Sequence, residues 1–345
     1  MYDVVVVGGG AVGLYLARKF AEKNSSVLLL EKKEKIGQKP CSGLVSSKIF
    51  EFINKGEDDF IENEFLKARI WLEGNFFDFN GKALLLNREK LDKYFFEKAK
   101  KAGVDIRLKK EVRKIEEKEA WVEILLESGE KIQGKIIAGC DGAVSTVAQN
   151  LNLPKQEKLL LGLIGYQFKN CQEDFKNNFP ELFFSKNFPG FFAWRIPRTR
   201  NIEWGTALPP QQKPGEKLRK FLKEKKIEIE KIESALIPIF PRKRIVTKRC
   251  FLCGDAAGQI KPATGGGLIY GLLAAKMASI FIDPAKPQTF LYEKQWTKNL
   301  QREIFWGGLL RKSYHLPTFL KKIGLLWLKN KKNLDQDRPS TMFTP

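Results

Sequence analysis

The residues best suited to chemistry in this sequence stand close to its N-terminus. Gly8, Gly10 and Gly13 have the spacing G-x-G-x-x-G, and the acidic residue Glu31 follows them. Glycines at this spacing allow a tight turn, a close approach of a pyrophosphate to the backbone, and close packing of a helix on a strand. A carboxylate at the position of Glu31 can accept hydrogen bonds from ribose hydroxyls. The pattern predicts a dinucleotide site, but by itself it does not distinguish FAD from NAD.

Three elements must position these residues. The apolar run 3–7 predicts a buried parallel strand, 11–24 predicts a helix, and 27–30 predicts a second buried strand that ends at Glu31. The free N–H groups and positive partial charge at the N-terminus of this helix would face the phosphates. Because glycine-rich turns are common, a purely structural turn is the alternative interpretation.

A second turn of this kind follows a buried strand predicted over 135–138. It contains Cys140, Asp141 and Gly142, so an acid and a glycine stand where a strand leads into a helix. Such a turn is suited to contact the edge of a nucleotide.

A third turn follows the strand predicted over 250–253. Asp255 at the end of this strand can bind a ribityl or ribose hydroxyl, and the glycines 265–267 open a helix over 268–282. The N-terminus of that helix can stabilise negative charge on a reduced flavin. Cys250 and Cys253 form a C-x-x-C pattern inside the strand, but two further ligands for zinc are not nearby, so we expect no metal site.

Cys41 is the one candidate for a catalytic side chain. It lies in the small-residue turn Pro40-Cys41-Ser42-Gly43, just before a helix predicted over 46–54. A position before a helix can lower the pKa of a thiol, and the small neighbours let a flat ligand approach the backbone. A buried cysteine in a tight turn is the alternative.

Aromatic residues crowd the predicted strands 160–168, 182–185, 190–196 and 202–207. Strict alternation along 190–196 places Phe192 and Trp194 on one face, and Phe191 and Ala193 on the other. Apolar residues on both faces predict a sheet covered on two sides. One face would be protein core and the other either core or the wall of an apolar ligand site.

The remaining elements are predicted as follows. Short strands are expected over 68–72, 76–79, 83–86 and 104–108, a hairpin over 112–115 and 120–127, helices over 88–102 and 214–227, and a strand over 235–239.

The composition narrows the class of protein. The chain of 345 residues is long enough for two joined domains. A formal net charge of +21 favours anionic partners such as nucleic acid, acidic proteins or lipid headgroups, unless the charge is simply solvated. With His315 as the single histidine, general acid–base chemistry and metal sites based on histidine are not expected.

Scattered cysteines, a strand predicted from residue 3 and the lack of a long apolar run indicate a cytoplasmic protein without a signal peptide or a membrane span. Residues 304–333 combine lysines and arginines with aromatic and aliphatic residues and contain no acid after Glu303. This segment suits an anionic membrane surface on the inner face of the membrane, or a helix pair packed on the body. The tail after residue 333 is polar and is predicted to be irregular.

Together these motifs resemble the FAD-dependent geranylgeranyl reductase family, which includes digeranylgeranylglycerophospholipid reductases and lies within the flavoproteins shaped like p-hydroxybenzoate hydroxylase. The resemblance covers roughly residues 1–300 and includes the glycine turns, Arg88 at a helix start, and Gly254-Asp255-Ala256-Ala257-Gly258. The turn around Cys41 and the segment 192–197, similar to an aromatic-x-Trp-x-Phe-Pro element, are its more specific features. Phe192 stands where the family often has Tyr, and Ile196 where it often has Phe.

The resemblance implies an α/β fold of mixed α+β character: a Rossmann-like FAD-binding domain, an inserted antiparallel-sheet substrate domain and C-terminal helices. The implied FAD-binding domain covers 1–150 and 245–285. For part of 60–90, the alternative is that it belongs to the substrate domain. The substrate domain covers 151–244, the C-terminal helices 286–333 and the tail 334–345.

The resemblance also implies roles for single residues. Cys41 would lie near the reacting bond, and Phe192, Trp194 and Pro197 would line the substrate cavity. The residues implied to hold FAD are Gly8, Gly10, Val12, Gly13, Glu31, Cys41, Ser42, Gly43, Arg88, Val112, Asp141, Gly142, Asp255, Gly265, Gly266, Gly267 and Leu268.

The implied reaction is hydrogenation of C=C bonds in a geranylgeranyl chain of a membrane-lipid precursor. An isolated alkene has no carbonyl to polarise, so reduced flavin N5 would deliver hydride to one carbon while an acid protonates the other. Electrons would come from an external donor, either a reduced nicotinamide or a ferredoxin. The competing interpretations are an FAD-dependent monooxygenase of an aromatic or polyene substrate, and a basic flavoprotein that binds nucleic acid. No nucleic-acid module is recognisable, so we expect no nucleic-acid partner.

Overall fold

The fold was analysed in a computed structural model, which describes residues 1–168, 178–229, 231–329, 335 and 337–342. Its strands are β1 (Tyr2–Val7), β2 (Val27–Leu30), β3 (Leu44–Val45), β4 (Ile61–Leu72), β5 (Asn75–Leu86), β6 (Asp105–Arg107), β7 (Val112–Glu117), β8 (Val122–Leu126), β9 (Lys131–Gly139), β10 (Leu159–Phe168), β11 (Glu181–Phe184), β12 (Ala193–Pro197), β13 (Asn201–Leu208), β14 (Ile232–Pro238) and β15 (Cys250–Leu252). Its helices are α1 (Ala11–Ala21), α2 (Arg88–Lys101), α3 (Thr146–Asn150), α4 (Pro214–Glu224), α5 (Leu268–Phe281), α6 (Thr289–Ser313) and α7 (Thr318–Lys329).

The first sheet has the order β6-β2-β1-β9-β8-β7, and β15 pairs with the C-terminal part of β9. Strands β6, β2, β1, β9 and β15 run parallel, whereas β7 and β8 form an antiparallel hairpin. The carboxyl-terminal parts of the central strands, residues 4–7 of β1 and 136–138 of β9, are apolar and buried, as is typical of parallel strands covered on both faces. In such a sheet, ligands bind beyond the carboxyl ends of the strands, at the point where the strand order reverses. Here this point is at β1, which has β2 on one side and β9 on the other.

The second sheet has the order β14-β10-β13-β12-β11-β4-β5-β3 and is antiparallel except where β11 meets β4. It therefore includes residues 44–45 and 61–86 in addition to strands from the predicted segment 151–244; the sequence had left part of 60–90 open between the two domains. The residues of the three short strands expected over 68–86 are confirmed as strand, but the number and bounds of the strands were wrong. They are parts of two long, paired strands, β4 and β5, whose exposed polar positions obscure the alternation.

Other boundaries also differ from the sequence predictions. The helix expected over 46–54 is only a short 3₁₀ turn, Ser47–Glu51, capped by the side chain of Ser46. The strand expected over 190–196 begins at Ala193, after turns at residues 188–191. Helix α1 ends at Ala21, and α4 ends at Glu224.

The C-terminal region consists of α6 and α7, as expected, followed by a tail that is not irregular throughout. Pro339–Met342 form a 3₁₀ turn, and Asp337 and Ser340 are buried against the body of the protein. Lys331 and Lys332, part of the basic segment noted in the sequence, lie outside the described residues. Among the helices described, none is both long and apolar enough to cross a bilayer.

Candidate functional site

A cavity of about 1120 Å³ lies between the two sheets and is lined by residues of both. The first sheet contributes its glycine turns at the carboxyl ends of the strands, and the second contributes one face of apolar side chains. This volume is slightly above the range of about 300–1,000 Å³ that is typical of small-molecule sites.

The structure brings most of the predicted site residues together on this one cavity. Those that line it are Gly8, Gly10, Val12, Glu31, Cys41, Ser42, Gly43, Arg88, Val112, Asp141, Gly142, Phe192, Trp194, Asp255, Gly265, Gly266, Gly267 and Leu268. Gly13 and Pro197 are not among the lining residues. Pro197 is instead the buried last residue of β12, paired with Ile202 of β13.

The first glycine turn has the geometry that its spacing predicts. Gly8 has a φ of +111°, and a Cβ on it would lie 2.4 Å from the carbonyl oxygen of Cys140. A Cβ on Gly13 would lie 2.1 Å from the carbonyl oxygen of Gly8, so Gly13 serves packing of helix on strand. A Cβ on Gly10 would meet no protein atom within 4 Å, because it would point into the cavity. The turn therefore offers a cradle that fits a pyrophosphate.

Glu31 lies beside this turn at the end of β2. Its Oε2 accepts a hydrogen bond from the N–H of Gly9 at 2.6 Å, and its Oε1 accepts one from the N–H of Lys33 at 2.9 Å. These two backbone donors fix the carboxylate at the cavity wall. A carboxylate held in this way can still accept from a ribose hydroxyl, because each oxygen has a second lone pair.

The third turn brings Asp255 against the N-terminus of α5. A Cβ on Gly267 would lie 2.7 Å from Asp255 Oδ1, so a larger residue would push the Asp255 carboxylate away. Gly267 caps α5 without a side-chain hydrogen bond, which leaves the N-terminal end of the helix facing the cavity. Lys39 donates to Asp255 across the cavity, and this charge pair raises the pKa of Lys39.

Asp141 lines the cavity, but its carboxylate is already engaged. It accepts from the hydroxyl of Ser145 at 2.6 Å and from the N–H of Val147 at 3.0 Å, at the start of α3. Burial nevertheless raises the pKa of Asp141 above its usual value. Its local role is to shape the turn, so Gly142 and the backbone remain available at the nucleotide edge.

Cys41 and Arg88 meet in the cavity wall. Arg88 opens α2 and donates to Asp92 at 2.9 Å, and its guanidinium lies close enough to Cys41 for an electrostatic interaction. Burial lowers the pKa of Arg88, but the neighbouring Asp92 and Cys41 raise it more, so it stays above its usual value. The cation of this pair is thus fixed beside the Cys41 sulfur.

The second sheet makes the other end of the cavity apolar. Phe192 and Trp194 line it as predicted, together with Phe191, which the alternation had placed on the opposite face. The reason is that the strand starts only at Ala193, so the alternation does not extend back to Phe191. The rings of Phe191 and Phe192 stack with centroids 4.2 Å apart.

A buried polar chain orients Trp194. Its indole N–H donates to Glu203 at 2.8 Å, and Arg198 donates to the other oxygen of Glu203 at 3.0 Å. Arg198 also donates to the carbonyl of Ser42 at 2.7 Å, next to Cys41. Burial raises the pKa of Glu203, although Arg198 and Trp194 act in the opposite direction. The chain links the aromatic wall to the turn of Cys41.

Several lining residues were missed by sequence reasoning. Lys39 and Lys261 lie next to the predicted motifs in the sequence, and this proximity could have identified them as lining residues. Leu328, Asp335 and Met342 come from the C-terminal region, and no sequence pattern connects them to the site.

The sequence pattern of a family described as FAD binding domain matches residues 1–274. The chain belongs to this FAD-binding family. Its cofactor is FAD, and the cradle at Gly10, the carboxylate of Glu31 and the open end of α5 fit the pyrophosphate, the ribose and the flavin edge. The flavoprotein is an oxidoreductase of α/β fold, as the motifs predicted.

Curated relatives are similar along most of this flavoprotein. A digeranylgeranylglycerophospholipid reductase of Methanocaldococcus jannaschii is 28% identical over 329 residues, which cover 86% of this chain and 82% of the relative. Digeranylgeranylglycerophospholipid reductase 2 of Methanopyrus kandleri is 28% identical over 300 residues, with coverage of 80% and 76%.

Solved structures share the fold. A geranylgeranyl bacteriochlorophyll reductase-like protein of Thermoplasma acidophilum superposes with a TM-score of 0.85 at 20% identity, covering 99% of this chain and 94% of that one. A probable FAD-dependent monooxygenase of Pseudomonas aeruginosa superposes with a TM-score of 0.74 at 16% identity, with coverage of 94% and 99%.

Proposed function

We propose that this flavoprotein reduces C=C bonds in isoprenoid chains, with a geranylgeranylated membrane-lipid precursor as the substrate. The observation that carries the proposal is the continuity of the cavity. A single cavity joins the FAD cradle at Gly8–Gly10 to an apolar wall of Phe191, Phe192 and Trp194. The names of the curated relatives support the lipid class of the substrate.

Bound FAD would supply the reducing equivalents. The work of the protein is to hold an unreactive alkene in position and to exclude water, which lowers the entropic part of the barrier. Phe192 and Trp194 would contact the isoprenoid chain, and the Glu203–Arg198 pair would keep the indole in place. Pro197 acts only through the strand that carries Trp194, since it does not line the cavity.

Cys41 is the candidate for the group nearest the reacting bond. Its thiol lies in the cavity wall beside the Arg88 guanidinium. Replacing Cys41 with Ala should lower turnover while leaving FAD bound, and Cys41→Ser should retain more activity than Cys41→Ala. Full turnover of Cys41→Ala with FAD bound would remove Cys41 from the mechanism.

The decisive experiment is anaerobic. The purified protein is reduced with dithionite, and a geranylgeranylated glycerophospholipid is then added. We expect the spectrum of oxidised flavin to return without oxygen, with a product heavier by two hydrogens for each reduced bond. Flavin that stays reduced until oxygen is admitted would favour the monooxygenase instead, a function that the fold also accommodates. Because dithionite replaces the natural donor, the result does not depend on whether a reduced nicotinamide or a ferredoxin supplies the electrons.

We also propose that α7 places the protein on an anionic membrane surface. Helix α7 carries the basic residues Lys321, Lys322 and Lys329 and contains no acid. Its exposed apolar residues are Phe319, Leu320, Ile323, Leu326 and Trp327. Leu328, on the opposite side of this helix, lines the cavity. A helix with apolar and basic residues exposed suits the interface of a bilayer that contains anionic lipids.

Vesicle co-sedimentation tests this placement. Binding should increase with the fraction of phosphatidylglycerol, and Ile323→Ser with Trp327→Ser should abolish it. The control is Phe290→Ser, which removes an exposed aromatic residue from α6. Binding that is insensitive to anionic lipid, or equally weakened by Phe290→Ser, would contradict the proposal.

A further inference from the structure

The described part of the C-terminal tail carries a carboxylate that is almost fully buried. The side chain of Asp337 is 1% exposed. Its Oδ1 accepts from Lys261 Nζ at 2.9 Å, its Oδ2 accepts from the hydroxyl of Ser46, and its backbone carbonyl accepts from Tyr270 at 2.8 Å. The family pattern ends at residue 274, so this tail lies outside the region that the family shares.

The partners of Asp337 belong to two separate walls of the FAD site. Ser46 closes the segment that begins at Cys41. Lys261 precedes the glycines at the start of α5. Its backbone N–H donates to the carbonyl of Gly266 at 3.0 Å, and its carbonyl accepts from the N–H of Gly265 at 2.8 Å. Tyr270 lies in the first turn of α5. One carboxylate therefore holds both walls at a fixed separation.

A second set of contacts anchors the tail to α6. Ser340 donates through its hydroxyl and its N–H to the two oxygens of Glu303, at 2.7 and 3.0 Å. Glu303 is itself buried, and Met342 at the end of this turn lines the cavity. The tail is thus built into the cavity wall by buried polar contacts.

The electrostatics indicate that these contacts serve geometry more than stability. Burial raises the pKa of Asp337, but Lys261, Ser46 and Lys48 lower it more, so the carboxyl stays ionised at neutral pH. A buried ion pair contributes little net free energy, because desolvation offsets the attraction between the charges. Apolar residues in place of both Asp337 and Lys261 would give similar stability, whereas removal of Asp337 alone would leave Lys261 buried without this charge partner. Neither change would keep the bridge between the two walls.

We propose that Asp337 is a positioning residue of the FAD site, which clamps the start of α5 and the Cys41 segment so that the C-terminal tail completes the cavity wall. The tail and FAD are then thermodynamically coupled. Reciprocity requires that tail docking strengthens FAD binding by the same factor by which FAD strengthens tail docking. The inference rests on FAD binding and does not depend on the lipid substrate.

The test compares Asp337→Ala and Asp337→Asn with Glu157→Ala, which breaks only an exposed ion pair with Lys243. We expect Asp337→Ala to weaken FAD binding at least about fivefold, the lower end of typical coupling between sites. Iodide should quench the bound flavin more strongly in this variant, and Glu157→Ala should match the unmodified protein in both measurements. FAD should also slow tryptic loss of the tail in the unmodified protein, as followed by intact mass.

Asp337→Asn keeps the shape of the side chain and should fold even if Asp337→Ala does not, with a smaller loss of FAD affinity. A lower melting temperature with unchanged FAD affinity and unchanged quenching would overturn the inference. Equal tryptic loss of the tail with and without FAD would also overturn it. Anaerobic lipid turnover is a separate measurement, so failure of the proposed function is distinguishable from failure of this inference.

Discussion

At the scale of single residues, the glycines of the first turn divide between two roles that the spacing alone does not separate. Gly13 permits helix α1 to touch the turn that carries Gly8, whereas Gly10 borders open space. The first role belongs to folding and the second to cofactor binding. Two alanine substitutions therefore separate stability from function.

We predict that Gly10→Ala leaves the apoprotein folded and abolishes FAD binding. The new methyl group meets no protein atom within 4 Å, but it occupies the space of the pyrophosphate. Gly13→Ala places a methyl group 2.1 Å from the Gly8 carbonyl, and such overpacking costs about 1–3 kcal/mol of unfolding free energy. Chemical denaturation and FAD titration measure both effects. A Gly10→Ala protein that binds FAD normally would refute the assignment.

Glu203 gives a second prediction at this scale. Glu203→Ala leaves the indole N–H of Trp194 without its acceptor and removes one of the two carboxylates that Arg198 contacts, the other being Glu62. Breaking a buried pair typically costs about 3–5 kcal/mol, and because Arg198 keeps Glu62 we expect the lower end of that range. The control is Glu233→Ala on β14, which breaks an exposed pair with Lys231 and should cost less than about 1 kcal/mol. Urea unfolding measures both. Equal losses in the two variants would show that Glu203 does not support the aromatic wall.

At the scale of elements, β4 and β5 show why local patterns misled the prediction. Each strand has twelve residues, and both carry many half-exposed polar side chains that conceal the period of two. The hairpin is held partly by a bidentate pair, in which Arg69 donates to Asp78 at 2.7 and 3.0 Å. Lys67 adds a third contact to the same carboxylate at 2.7 Å.

We predict an acid-sensitive contribution from this hairpin. The hydrogen bonds with Arg69 lower the pKa of Asp78 from 3.8 to about 2. Because the folded-state pKa is depressed, the contribution is present above about pH 4 and is lost as the pH falls toward 2. Solvent screening limits it to about 1 kcal/mol. Urea unfolding between pH 6 and pH 3 measures this contribution. As the pH falls, the free energy of unfolding should decrease less steeply for Asp78→Asn than for the exposed control Asp59→Asn. Identical slopes would contradict the assignment.

At the scale of the whole molecule, the cavity couples two cores that pack separately. One core surrounds the first sheet and the other surrounds the second, and the cavity is lined by both. The polar chain from Trp194 through Glu203 and Arg198 to Ser42 is a connection that leaves the second core toward the FAD site. A ligand that fills the cavity should therefore stabilise the molecule as one unit.

We predict that FAD raises the melting temperature of the protein. A ligand at a concentration one hundred times its dissociation constant stabilises the folded state by about 2.7 kcal/mol. The shift should appear both in tryptophan fluorescence, to which the tryptophans of both cores contribute, and in far-ultraviolet circular dichroism. Gly10→Ala should show no shift, and a shift seen by only one probe would mean that the two cores unfold independently.

The sequence by itself determined the elements whose signal is local. The turns at Gly8–Gly13, Asp141–Gly142 and Gly265–Gly267 have their conformation dictated by glycine, and the buried strands beside them are uninterrupted apolar runs. From these followed a dinucleotide site and most of the cavity residues, and the family resemblance that they carry implied FAD and the fold. The expected domain division of the chain and the roles of single site residues stay predictions.

Only the tertiary structure decided what depends on contacts between distant segments. It showed that residues 61–86, part of which the sequence left open between the two domains, belong to the second sheet, because strand pairing is set by partners far along the chain. It turned Phe191 toward the cavity, since the start of β12 fixes the phase of the alternation. It also brought Asp337 and Met342 to the site. A buried carboxylate is stable only when it is paired, and the partner of Asp337, Lys261, lies far away in the sequence.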